Sequence, residues 1–248
     1  MTSPPPLLVV AHPGHELRLF NWIEREHPLV YILSDGSGGA QSSRLSYSRS
    51  AISAAGATLI EGSGQRSDRE WYAAMLAGDV SIFAETVAAI VTAAAEVPLV
   101  VADAADGYNP LHDLCQAIAE AAAARIAHRP KPPRLLVSPA TAAAMGTESV
   151  VWTLDDVAMG RKRAAVSAYA PLAEEAKRLL AEAPDALGTE RLLLPSFAWP
   201  DEFAPEWEAY GRKRVQEGRF ATLITYRDHV LPIARALLGR SQLSLLRR

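Results

Sequence analysis

Four short apolar runs, each ending in a polar loop and separated from the next by helix-like stretches, set the architecture open to this chain. Leu7–Val10 leads into Ala11-His12-Pro13-Gly14-His15-Glu16, and Leu29–Leu33 leads into Ser34-Asp35-Gly36-Ser37-Gly38-Gly39. Pro98–Asp103 leads into a loop that reaches Asn109-Pro110-Leu111-His112-Asp113, and Arg134–Pro139 supplies the fourth run. Runs this short and this apolar read as strands covered on both faces. Between them, residues 17–26, 42–55 and 80–96 carry helical patterns, and Ala57–Ile60 is a short strand. The polar, glycine-containing residues 61–79 read as a surface loop. Asn109 followed by Pro110 signals a helix start, N-cap then first turn, so His112 falls in the first turn of an Ala-rich helix running to about Ala127. Arg161–Glu182 and Tyr226–Leu238 complete the helices, with the aperiodic stretch Leu194–Trp207 between them.

Strands that alternate with helices predict an α/β fold, a Rossmann-like, mostly parallel sheet with helices on both faces. The chain has 248 residues, 49% of them hydrophobic, and no repeat or sharp change of composition. It reads as a single α/β domain over 1–248, with 150–248 a C-terminal helical extension. A formal net charge of −3 offers no electrostatic reason for nucleic acid or an anionic membrane as the main partner. The lone Cys115 excludes an intrachain disulfide and a thiolate-based structural zinc site. The opening residues lack a basic region and a long apolar run, and no segment has the length of a membrane span; both point to a cytoplasmic protein.

In open parallel sheets, ligands bind beyond the carboxyl ends of the strands. His12, His15, Asp35, Asp103 and His112 all fall at or just after such ends, which collects five chemically capable residues on one rim. His12, His15 and His112 form a possible three-histidine metal site with a position left open, the layout of a catalytic zinc. Their alternative is three ordinary loop histidines, and His27, His128 and His229 fall outside these loops. Asp35 has a plainer reading as an Asp-Gly turn.

Other chemistries lack their signatures. No loop carries a G-x-G-x-x-G or Walker pattern, which leaves a nucleotide-binding transferase without its phosphate cradle. No G-x-S-x-G elbow surrounds Ser37 or Ser63, so a serine hydrolase is not indicated. Cys115 reads as a buried packing residue. The clusters Arg161-Lys162-Arg163 and Arg212-Lys213-Arg214 read as solvated helix faces, with contact to an anionic substrate as the alternative. Phe197, Trp199, Phe203, Trp207 and Tyr210 read as packing, with a sugar-binding cleft as the alternative.

Three blocks in order, strand-A-H-P-x-x-E, a strand ending in D-G, and D-G-Y-x-P-x-H, resemble the PIG-L/LmbE-like metal-dependent deacetylases over about the first 140 residues. The usual forms there are A-H-P-D-D-E and a downstream H-P-D-H. The resemblance implies zinc and removal of the acetyl group from an N-acetylated amino sugar, typically a GlcNAc conjugate. It maps His12 onto the first metal ligand, His15 onto a ligand aspartate and His112 onto the last ligand. Tyr108 matches a tyrosine often seen beside the site. Two positions depart from the family. Gly14 stands where the family has its general-base aspartate, and Asn109 stands where it has a carbonyl-polarising histidine. An asparagine amide can donate to an oxyanion, but it cannot act as a general acid at neutral pH. A proton acceptor would then come from Glu16, Asp35, Asp103, Asp106 or Asp113, among which the sequence does not choose.

The sequence thus predicts a zinc-dependent N-deacetylase with one Zn2+ per chain on His12, His15 and His112, with Asn109 and Tyr108 beside the reacting group. Its substrate would be a small N-acylated sugar or conjugate. The alternative is a catalytically degenerate member of the same family acting as a binding or partner protein.

Overall fold

The computed structural model describes residues 3–38, 42–126, 133–141, 144–182 and 187–239. Its centre is a seven-stranded sheet of strands β1 (Leu7–Val10), β2 (Leu29–Ile32), β3 (Thr58–Leu59), β4 (Leu99–Asp103), β5 (Arg134–Ser138), β6 (Gly146–Thr153) and β7 (Thr189–Pro195). Their order across the sheet is β3-β2-β1-β4-β5-β7-β6. The first five strands pair in parallel, β7 runs antiparallel to β5, and β6 runs antiparallel to β7. The fold is therefore the α/β, Rossmann-like arrangement that the strand–helix alternation predicts.

β1 shows why the strands carry no polar alternation. All four of its residues are buried, and successive side chains enter different cores. Leu7 and Val9 join a core built with α3 (Asp68–Ala77), α4 (Val80–Ala93), α5 (Pro110–Ile126) and α9 (Leu231–Leu237). Leu8 and Val10 join a second core with α1 (Phe20–Glu26), α2 (Leu45–Ala54) and α6 (Asp156–Ala168). A period-two strand with helices on both faces must be apolar at every position. α5 is enclosed in the same way: Leu111, Leu114, Cys115, Ala117, Ile118, Ala119 and Ala122 have no exposed surface.

Several elements differ from expectation. Residues 61–79 contain a helix, α3, whose N-cap Ser67 and third residue Glu70 form a reciprocal capping box. The helix expected over Leu17–Glu26 begins as a 3-10 turn, His15–Leu19, before α1. The amphipathic run 161–182 is two helices, α6 and α7 (Ala170–Glu182), meeting at Tyr169. The region after residue 150 supplies β7 and the end of β6 as well as helices, including α8 (Glu206–Gln216). Lys162 is 1% exposed and is a buried cation, not part of a solvated face, whereas Arg161 pairs with Glu24 at the surface. The end of the Ala-rich helix at Ala127, the peripheral His128 and Gly39 of the glycine loop lie outside the described residues.

Candidate metal centre

The chain leaves β1 toward β2 on one side of the sheet and returns through β4 on the other, so the loops after β1 and β4 diverge. This is the topological switch point, where open α/β sheets bind ligands. The first loop carries His12 and His15, and the second runs through Asp106 to α5, whose first turn carries His112.

The three histidines come together there. One ring nitrogen from each lies within 4.8 Å of the others. Their ring centroids are separated by 5.2 Å (His12–His15), 5.2 Å (His12–His112) and 4.4 Å (His15–His112). His12 and His112 are buried, and His15 is partly so. Burial, aided by the neighbouring imidazoles, lowers His112 to about 2. Burial also lowers His15 to about 4, outweighing the pull of the Asp103 carboxylate, with the Arg18 cation acting in the same direction as burial. His15 and His112 are thereby better suited to ligate a cation than to carry charge, because metal binding requires the neutral imidazole. His112 Nδ1 is buried without a hydrogen-bond partner, an orphan that a cation would satisfy. The residues therefore fit a metal ion, and imidazole donors suit zinc, copper, iron and nickel alike.

A carboxylate fixes one of the rings, and a second carboxylate lies beside another. Asp103, at the end of β4, accepts from His15 Nδ1 at 2.6 Å and from the Ala11 amide at 2.8 Å through the same oxygen. Its other oxygen binds the Arg18 guanidinium. Burial alone would raise this carboxyl, but the His15 and Arg18 charges hold it well below the usual carboxylate range. Donation from Nδ1 leaves His15 Nε2 available to ligate, the outer-shell arrangement common to metal-binding histidines. Asp68, the first residue of α3, places Oδ1 3.3 Å from His12 Nε2, while its Oδ2 accepts the Gly38 amide at 2.6 Å. Burial pushes this carboxyl up, yet the contacts with His12, Ser34 and Gly38 prevail and lower it to about 2.

Of the carboxylates named from sequence, only Asp103 contacts a histidine of the cluster. Glu16 is buried and accepts the Gly14 amide at 2.7 Å. Asp35 accepts the Ser37 amide and turns the loop after β2. Asp106 accepts the Tyr108 amide. Asp113 accepts the Asp106 and Gly107 amides, each at 3.0 Å, and Trp207 Nε1 at 2.8 Å. Burial nevertheless raises Asp113 to about 7. All four accept backbone amides, and Asp113 also holds the Trp207 indole.

Asn109 caps α5, with Oδ1 accepting the Leu111 amide at 2.8 Å, and its Nδ2 donates to the Tyr72 hydroxyl at 2.9 Å. Tyr108 is 59% exposed, with its ring centroid 5.7 Å from that of His112. Gly14 has φ +103°, and a Cβ there would lie 2.5 Å from Leu172 Cδ1. Cys115 is buried, with Sγ 3.5 Å from the Val9 carbonyl, and burial raises its thiol well above the ordinary value. Phe197, Trp199 and Trp207 are core residues, and the exposed Tyr210 stacks with Arg214.

Asp68, Arg18 and Tyr72 were not foreseen. Ser67-x-x-Glu70 is a capping-box signature that would have marked α3 and placed Asp68 at its first residue. Arg18 and Tyr72 carry no local signal.

No family model, curated protein or solved structure matches the chain. Its functional reading rests on its own residues.

Proposed function

We propose that this protein is a zinc-dependent hydrolase that removes an acyl group, with acetyl the leading case, from an N-acylated amino sugar or sugar conjugate. In this reading it is a divergent relative of the PIG-L/LmbE-like deacetylases. The observation that carries the proposal is the convergence of His12, His15 and His112 at the switch point of the sheet. Zinc held by these three residues would supply Lewis acidity toward a carbonyl and acidify water to a pKa of roughly 7.

The chain's own groups do the remaining work. Asp103 holds His15 in orientation, and Asp68 lies beside His12. Asp68 Oδ1, beside His12 and anchored through its other oxygen, is the carboxylate in place to accept a proton. Asn109 spends one amide hydrogen on Tyr72 and retains a second, which in this reading donates to an acyl oxygen, an interaction worth about 3 kcal/mol in a well-formed oxyanion hole. The exposed Tyr108 ring offers a wall against which a sugar face can pack.

A second reading, a metal-holding but catalytically degenerate binding protein, has its own support. The space beside Gly14 is filled by Leu172, and Asn109 is engaged on both sides of its amide. Elemental analysis and an acetate-release assay decide between them. The hydrolase reading expects about one zinc per chain, lost in His12→Ala and His112→Ala, with acetate released from N-acetylated sugars. A zinc-loaded protein inert on a broad acyl-amide panel supports the second reading, and a protein indifferent to metal and chelator overturns both.

A further inference from the structure

The metal loop is held from a distant part of the chain. Lys162 of α6 is 1% exposed and donates from Nζ to the Arg18 carbonyl at 2.7 Å and to Glu190 Oε1 at 2.8 Å. Glu190, on β7, is equally buried and accepts the Asn21 and Trp22 amides at 2.9 and 2.8 Å, which caps the entry of α1. Arg18 therefore has two anchors. Its carbonyl rests on Lys162, and its guanidinium rests on Asp103, whose other oxygen receives His15 Nδ1. The contacts form an unbroken line from Lys162 through Arg18 and Asp103 to His15. Burying an ion pair costs several kcal/mol, so the Lys162–Glu190 pair as a whole stabilises little beyond what two well-packed apolar residues would, although removing one partner alone is costly. The pair's hydrogen bonds instead specify position.

We infer that Lys162 is a positioning residue for the metal centre, acting through Arg18 and Asp103 to set the His15 ring in its ligating orientation. The inference rests on the reading of His12, His15 and His112 as metal ligands. It also assigns a role to the C-terminal segment, which braces the metal loop from beneath rather than only completing the sheet.

The test compares the wild type with Lys162→Met, and with Ile90→Ala, a buried residue of the core on the other sheet face. Zinc affinity is measured by competition with a chromophoric chelator, and ligand geometry by the visible spectrum of the cobalt-substituted protein. Lys162→Met should bind zinc more weakly, by up to about 10-fold, the low end of what losing a direct partner of a ligand costs, with an altered cobalt spectrum. Ile90→Ala should change neither. In the metal-free protein, nitrogen-15 spectra of the histidines should show His15 protonated at Nδ1 in the wild type and a tautomer mixture in Lys162→Met. Unchanged affinity, cobalt spectrum and His15 tautomer in a folded Lys162→Met overturn the inference. If Lys162→Met does not fold, Glu190→Gln, which keeps shape and weakens the hold on Lys162, is measured in its place. It should shift all three readouts in the same direction, and an unchanged Glu190→Gln overturns the inference. A wild type that binds no metal removes the metal reading, and the tautomer comparison still decides whether Lys162 positions His15.

Discussion

Gly14 carries φ +103°, a backbone conformation that L side chains rarely adopt, and Leu172 Cδ1 occupies the place of its missing Cβ. Gly14→Asp should therefore destabilise the fold by about 1–3 kcal/mol and fail to create a working base. Adding Leu172→Ala should recover the part due to the clash but not the part due to φ. Urea unfolding of the two single variants and the double variant separates these contributions. Asp103 poses the complementary case. Asp103→Asn keeps the shape but loses the charge that binds Arg18 and fixes His15. Zinc affinity should fall about 10–100-fold, measured by chelator competition.

At the scale of elements, α3 and α5 carry site residues at their first turns, where a cap decides both helix stability and side-chain direction. Ser67→Ala removes the hydroxyl that accepts the Glu70 amide and should cost about 1 kcal/mol by thermal or chemical unfolding. Because Asp68 follows it directly, the same change should loosen the contact with His12. At α5, Asn109→Ala should cost about 1 kcal/mol, whereas Asn109→Asp retains the acceptor for the Leu111 amide and loses only the donor to Tyr72. A smaller loss for Asn109→Asp than for Asn109→Ala checks that the cap dominates.

The start of α5 was legible because Asn-Pro is a local signal. α3 was missed because its Gly- and Ser-rich approach, Glu61–Ser67, resembles a loop, and the capping box inside it outweighs that composition. β6 and β7 were missed for another reason. β6 is exposed along much of its length, so it lacks the continuous apolar run that revealed the inner strands. An edge strand is defined by the partner it pairs with more than by its own residues.

For the molecule as a whole, two long-range couplings make predictions. Lys162→Met leaves the Glu190 carboxylate buried without its cation and should cost about 3 kcal/mol or more. Replacing Glu190 by Leu as well should not restore full stability, because the Asn21 and Trp22 amides then lose their acceptor. Metal should add to stability through the native state alone. Zinc at a hundredfold excess over its dissociation constant should contribute about 2.7 kcal/mol, seen as a raised Tm that chelator reverses and His112→Ala abolishes.

The apolar runs and the loops that end them were enough to establish the parallel α/β sheet and the rim on which the histidines stand. Burial on both strand faces writes itself into consecutive residues, and strand ends are local features. The tertiary structure alone decided that Asp68 meets His12, that Arg18 and His15 share Asp103, and that Lys162 sits beneath Arg18. Those contacts join residues 56, 85, 88 and 144 positions apart. No local pattern encodes such pairs, because the burial that makes each polar partner necessary exists only once the chain has closed around it.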